Sequence, residues 1–155
     1  MSIATSSFQE LVERVSRIDF GRIKEKFING SDGLSWSPSK YDIAEQNYRQ
    51  FLVINALYPM EPLVPSADVD EIWHMHILDT QAYLRDCHEA LGFFLHHVPA
   101  QSGDKRRHEE SFQRTQILQH RHFPELTHQR NEGGGKCSRC SGGRCKSLES
   151  SGCPK

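Results

Sequence analysis

Histidines and carboxylates are concentrated in one short stretch of the chain, residues 69–80, which reads Val-Asp-Glu-Ile-Trp-His-Met-His-Ile-Leu-Asp-Thr. Seven of the nine histidines follow later in the sequence, among them the adjacent pair His96 and His97. These side chains are the usual ligands of protein metal sites and the usual proton carriers near neutral pH. Five of them are candidate metal ligands: Asp70, His74, His76, His96 and His97. The cluster therefore predicts a metal site or a site of acid–base chemistry.

Helical geometry decides which of these side chains can meet. Asp70 and His74 are four residues apart, so on a helix they share one flank, about 40° from each other. His76 lies about 200° from His74, on the opposite side. One ion therefore cannot bind both histidines from a regular helix. His76 is then a supporting group or a proton carrier, or a ligand only where the helix is irregular.

A third ligand would come from beyond Gly92, from either His96 or His97. Two histidines and a carboxylate suit zinc, or ferrous iron with coordination positions open to a substrate. The alternative is structural, because an acid such as Asp70 suits the first turn of a helix and histidines hydrogen-bond to neighbouring helices. The pattern defines neither a substrate nor a reaction, so enzymatic activity is left open.

Apolar periodicity predicts that these residues belong to a small all-α bundle of four or five helices. Capping signals open three of the helices: Ser7 with Glu10, Ser37 with Pro38, and Ser66. The helix after Ser66 is predicted to run unbroken to Gly92. Its apolar seam would consist of Trp73, Ile77, Thr80, Leu84, Cys87 and Leu91. Cys87, within this seam, is expected to be a small buried side chain rather than a nucleophile.

The composition changes near residue 127, which divides the chain into a helical domain, 1–126, and a flexible Gly/Cys-rich tail, 127–155. Four thiols crowd this tail: Cys137, Cys140, Cys145 and Cys153. They could hold zinc in a tetrahedral site or copper in its soft, reduced form. The alternative is a disordered tail that takes up metal only opportunistically. Because the tail has no aromatic residue on which a base could stack, nucleic-acid binding is not expected.

Charge and hydropathy exclude further classes of function. The formal net charge of −1 argues against a surface built to bind nucleic acid or membrane through bulk charge. No apolar run approaches the length of a membrane span, and the N-terminus lacks the features of a signal peptide. The sequence therefore predicts a cytoplasmic protein. A protein partner and the oligomeric state are left open.

The histidine-bearing segment also resembles a known family. Its signature runs Val69-Asp70-x-x-Trp73-His74-x-His76-Ile77-Leu78-Asp79-Thr80-x-x-Tyr83-x-x-Asp86-Cys87, followed by Gly92-x-x-Leu95-His96-His97-x-Pro99. Upstream, Tyr48-Arg49-x-Phe51-Leu52 and Leu63-Val64-Pro65-Ser66 continue it. Together these segments resemble the glycine-rich domain-containing protein-like family, in its short bacterial form with a Gly- and Cys-rich end. The resemblance implies that the family's signature includes Asp70, Trp73, His74, His76, Tyr83, Asp86, Cys87 and one of His96 or His97, which favours a functional polar site.

Two hypotheses follow for the function. In the first, the chain is a cytoplasmic metal-binding helical protein, which could be a metal-dependent enzyme. Its ligands would be Asp70, His74 and one of His96 or His97, and His76 and Asp86 would be supporting residues. In the second, it is a non-catalytic protein-interaction module whose His, Asp and Trp residues form a structural polar network.

Overall fold

The computed structural model describes residues 7–30, 35–98 and 104–125. These residues form six α-helices and one π-helical turn, and no strand occurs among them. The elements are α1 (Phe8–Ser16), α2 (Gly21–Asn29), α3 (Pro38–Leu57), α4 (Ala67–Leu78), α5 (Thr80–Asp86), the π-helical turn (Cys87–Leu91) and α6 (Lys105–His122). The predicted all-α class is confirmed.

Local capping explains why the first helices begin where they do. At the start of α1 the Ser7 hydroxyl accepts from the Glu10 amide and the Glu10 carboxylate accepts from the Ser7 amide, a complete capping box. Ser37 caps α3 by accepting from the amide of Lys40, ahead of Pro38 at the first helical position. These signals were readable in the sequence because they depend only on neighbouring residues.

Helix α3 is the centre of the bundle and contacts α1, α2, α4, α6 and the π-helical turn. Its buried side chains include several rings, which pack against aromatic residues of the other helices. The largest fully buried side chains are Tyr41, Tyr48, Tyr83, Phe27, Phe51, Leu52, Ile54, Ile72 and Leu118. This core fixes the orientation of α4, which carries Asp70, His74 and His76.

The prediction of one unbroken helix from Ser66 to Gly92 is wrong. The chain leaves helical geometry at Asp79, whose φ and ψ are −84° and 74°, and whose carboxylate then caps α5 by accepting from the Ala82 amide. Six α-helices therefore replace the predicted four or five. The break also resets the helical phase, so that Leu84, expected in the apolar seam, is 48% exposed.

The described helices belong to one compact unit that ends at Pro124, and a second unit begins at Glu125. The predicted tail boundary, after residue 126, lies outside the described residues, as do all four tail cysteines. None of the described helices has both the length and the apolar character needed to cross a bilayer.

Candidate metal centre

Asp70, His74 and His97 come together at the surface of the bundle. One ligand atom from each residue can be chosen so that all three lie within 4.8 Å of one another. Asp70 and His74 share the outer flank of α4, one turn apart, as the helical geometry predicted. His97 comes from the segment that follows the π-helical turn. The structure thus selects His97 over His96 as the third member of the cluster.

The three side chains already interact through hydrogen bonds. Nε2 of His97 donates to Oδ1 of Asp70 at 3.0 Å, since a carboxylate can only accept. Nδ1 of His74 donates to the main-chain oxygen of Asp70 at 2.6 Å and lies 3.5 Å from its Oδ2. The His74 and His97 rings face each other with centroids 4.5 Å apart. Asp70 therefore holds both imidazoles in place, His97 through its carboxylate and His74 through its main-chain oxygen.

The segment 93–98 places His97 by alternating its side chains between two sides. Phe93, Leu95 and His97 are half-buried, whereas Phe94, His96 and Val98 are exposed. The backbone is tied down at Leu95, whose oxygen accepts from the Tyr83 hydroxyl, which itself accepts from Nε1 of Trp73. Trp73 also contacts the His97 ring, with centroids 4.5 Å apart. Residues of α4 and α5 therefore anchor the segment that delivers the third ligand.

Two of the predicted metal ligands lie elsewhere. His96 is exposed and packs its ring on Phe94, with centroids 4.9 Å apart. His76 is 2% exposed and points into the core, away from Asp70 and His74, as expected from its position on the helix. Neither joins the candidate metal centre. His96 is excluded because side chains alternate between two sides in the segment after Gly92. His76 is excluded because α4 is a regular helix and directs it to the opposite side from His74.

His76 belongs to a second, buried polar cluster. Its Nε2 donates to Oδ2 of Asp86 at 3.1 Å, and its Nδ1 accepts from the Tyr48 hydroxyl at 2.9 Å. Oδ1 of Asp86 in turn accepts from Arg85, whose guanidinium reaches solvent. Burial lowers the pKa of His76, although Asp86 opposes the shift. His76 is therefore a neutral, fully hydrogen-bonded core residue.

Sequence reasoning named Asp86 as a supporting residue but missed Tyr48 as the partner of His76. Tyr48 lies on α3, 28 residues before His76, and its apolar neighbours made it look like an ordinary core aromatic. Burial raises the pKa of the Tyr48 phenol well above its usual value, so the hydroxyl keeps its proton and acts as the donor.

Cys87 is buried at the start of the π-helical turn, as predicted. Burial raises the pKa of its thiol, which keeps it protonated and unreactive. The other predicted thiol ligands, Cys137, Cys140, Cys145 and Cys153, lie outside the described residues.

A pocket of about 750 Å³ opens beside the candidate metal centre. Asp70 and His97 form part of its wall, whereas His74 does not line it. Most of the remaining wall is apolar and comes from the proline-rich connection between α3 and α4 and from the segment 93–98. These apolar residues are Pro59, Pro62, Leu63, Val64, Pro65, Ala67, Trp73, Phe93, Phe94, Leu95 and Val98. The volume falls in the range of small-molecule sites.

Comparison with known proteins places the chain in a family. The UCP032817-like family matches residues 20–129, more than half of the chain. The chain belongs to the UCP032817-like family. The match covers α2 to α6, and thus every residue of the candidate metal centre. No curated protein and no solved structure matches the chain. The resemblance to the glycine-rich domain-containing protein-like family stays a prediction, and the function has to be argued from the site.

Proposed function

We propose that this chain binds a divalent metal ion through Asp70, His74 and His97. The convergence of the three side chains, two from α4 and one from a distant segment, is the observation that supports this function. The metal would take the place of the proton that His97 now shares with Asp70. Nε2 of His97 and Oδ1 of Asp70 are 3.0 Å apart, close to the spacing of about 3.3 Å between two ligand atoms of a tetrahedral zinc ion.

The ligand set favours zinc or ferrous iron. Two imidazoles and one carboxylate form the donor set of many catalytic zinc sites and of non-haem iron sites, both of which keep coordination positions for water or substrate. His74 is more than half exposed, so its ring can rotate to shorten the longer distances without disturbing the core. A three-residue site beside a pocket is compatible with a metal-dependent enzyme, which remains part of the proposal.

A non-catalytic interaction module is the second candidate. The buried cluster of Tyr48, His76 and Asp86 supports it, because these signature residues satisfy one another and do not reach the candidate metal centre. Trp73 and Tyr83 also hydrogen-bond to each other, and the Trp73 ring packs against His97, which suits a structural polar network as well. In this case the His97–Asp70 bond would serve only to fix the segment 93–98.

We propose separately that the four cysteines of the tail bind zinc or copper independently of the helical unit. Metal analysis of the helical site therefore needs a full-length chain without those thiols. Changing Cys137, Cys140, Cys145 and Cys153 to serine removes the tail ligands while keeping the chain length. We refer to this protein as the tail-serine variant.

Metal affinity of the tail-serine variant tests the proposed function. Produced without a polyhistidine tag, it should bind about one equivalent of zinc or cobalt. Changing His97→Ala or His74→Ala should each weaken binding by more than the roughly 10–100-fold that loss of a mere supporting residue causes. Competition with a chromogenic chelator measures these affinities.

His96→Ala is the matched control, because His96 is the adjacent, exposed histidine and lies outside the cluster. It should leave the affinity unchanged. Equal affinity of the parent, His74→Ala and His97→Ala proteins, with the helical circular dichroism intact, would refute the site. It would leave the interaction module as the better explanation of the hydrogen bond between His97 and Asp70.

A further inference from the structure

The wall of the pocket beside the candidate metal centre is mostly apolar, but it includes two of the proposed metal ligands, Asp70 and His97. Its other polar side chains are those of Asn55, Glu61, His96 and His108. The apolar wall is contributed by proline, leucine, valine and phenylalanine side chains. Such a division suits a ligand that has a polar head and an apolar body.

The charge of the loaded site indicates the sign of that head. A divalent ion with one carboxylate and two neutral imidazoles carries a net charge of +1, because only Asp70 contributes a negative ligand. Glu61 is the other carboxylate that lines the pocket, but it forms a two-point ion pair with Arg114, with distances of 2.6 and 2.9 Å. The pocket is therefore not dominated by unpaired negative charge.

Coordination chemistry indicates what the head would contact. Three protein ligands leave at least one position of a zinc or ferrous ion for another donor. Two of the three ligands line the pocket, so the space next to that position is the pocket itself. An anionic oxygen donor there would neutralise the site.

We propose that the pocket binds a small monocarboxylic acid with an apolar body, whose carboxylate coordinates the metal ion held by Asp70, His74 and His97. This inference rests on the proposed metal site and adds its ligand class. The apolar body lies along the wall formed by the proline-rich connection and the segment 93–98. Burial of that body supplies affinity that a bare carboxylate lacks.

Cobalt substitution gives a direct readout of this ligand. The tail-serine variant is loaded with cobalt(II), whose visible spectrum changes when a ligand enters its coordination sphere, and is titrated with 4-phenylbutyrate, acetate and 4-phenylbutanamide. The spectrum should respond to 4-phenylbutyrate at a concentration at least about tenfold lower than to acetate, because only the former has an apolar body to bury. The amide, which lacks the anionic head, should give no comparable change.

A substitution in the wall separates the pocket from the metal. Phe94 lines the pocket and is 38% exposed, so Phe94→Ala should raise the concentration of 4-phenylbutyrate required several-fold while cobalt affinity stays unchanged. Ile117→Ala is the matched control, since Ile117 is an exposed apolar residue of α6 that does not line the pocket.

The two proposals fail in different ways. A protein that binds cobalt but responds equally to acetate and 4-phenylbutyrate, or to neither, would overturn the ligand class and leave the metal site standing. A protein that binds no cobalt would overturn both. An unchanged response in Phe94→Ala would show that the ligand binds outside the pocket and would also overturn the ligand proposal.

Discussion

At the scale of single residues, two histidines only two positions apart have opposite environments. His74 faces outward toward Asp70 and His97, whereas His76 is enclosed between Tyr48 and Asp86. A buried polar group is stable only when its hydrogen bonds are satisfied, and both ring nitrogens of His76 are. The stability of the core around α4 therefore depends on Tyr48 as the hydrogen-bond donor to His76 and on Asp86 as the acceptor from it.

We predict that Tyr48→Phe lowers the free energy of unfolding by about 1–3 kcal/mol, because it leaves the buried Nδ1 of His76 without its donor. Urea denaturation monitored by circular dichroism measures this change. Tyr41→Phe is the matched control on the same helix. Its hydroxyl is equally buried and forms no well-aligned hydrogen bond within the described residues, although the Glu45 carboxylate lies near it, so its removal should cost less than that of the Tyr48 hydroxyl. A loss as large for Tyr41→Phe would contradict this account.

Residue types and helical spacing were sufficient to predict the pairing of Asp70 with His74 and the opposite orientation of His76. They could not choose between His96 and His97, because the side that each faces depends on the path of a non-helical segment. Phe93 and Phe94 are both apolar, so the alternation in that segment gives no clear phase. The structure resolves the choice through the contact of the His97 ring with Trp73.

At the scale of elements, the turn that ends at Gly92 determines where the third ligand arrives. The five residues Cys87–Leu91 form a π-helical turn, and the Gly92 amide donates to the oxygen of Cys87 at 3.0 Å. Gly92 has a φ of 85°, in the left-handed region where residues with a Cβ are strained. The chain then reverses and runs back past α4, which carries Asp70.

We predict that Gly92→Ala lowers the free energy of unfolding by about 1 kcal/mol through backbone strain alone, because a Cβ at this position meets no other atom within 4 Å. Gly92→Asn should cost less, since asparagine tolerates the left-handed conformation better. Thermal denaturation of the two variants provides the comparison. An alanine variant as stable as the parent would show that the turn relaxes to another conformation.

The helix break at Asp79 was missed because neither glycine nor proline marks it. Apolar periodicity continues through residues 77–80, and it therefore predicts an uninterrupted helix there. The signal that could have revealed the break is the aspartate itself, since Asp is a favoured N-cap and is followed here by a helix-compatible segment. The chain can either continue one helix through Asp79 or begin a new one there. The tertiary packing of α5 determines which occurs, and this packing cannot be read from the sequence alone.

At the scale of the whole molecule, His122 joins the end of α6 to two other helices. Its Nε2 accepts from the hydroxyl of Tyr58, which follows α3, at 2.9 Å, and its ring packs on Phe8 of α1. Burial, together with the positive charge of Arg121, lowers the pKa of His122. The folded protein thus favours the neutral form of this ring.

A lowered pKa means that the unfolded chain binds the proton more tightly than the folded protein. The stabilisation that neutral His122 gives to the folded protein is therefore fully present at a pH above 6.5, the pKa of histidine in the unfolded chain. This stabilisation is lost as the pH falls below that value. We predict that the urea midpoint of the parent falls more between about pH 7.5 and pH 5.5 than that of His122→Gln. Because His76 is present in both proteins, its titration cancels in the comparison. Identical pH dependence in the two would exclude a role for His122.

A metal ion at the candidate metal centre would also stabilise the part of the bundle between its ligands. Asp70 and His97 are 27 positions apart, and the chain between them includes the break at Asp79, helix α5 and the π-helical turn. An ion bound by both residues would bind only the folded arrangement of this loop, and would therefore stabilise the loop against local unfolding. Loading with metal should then slow the deuterium exchange of amides in α5 and the π-helical turn. It should have less effect on the amides of α2, which lies outside the loop. The metal would then have two roles, because it would stabilise one part of the bundle and would also bind the ligand.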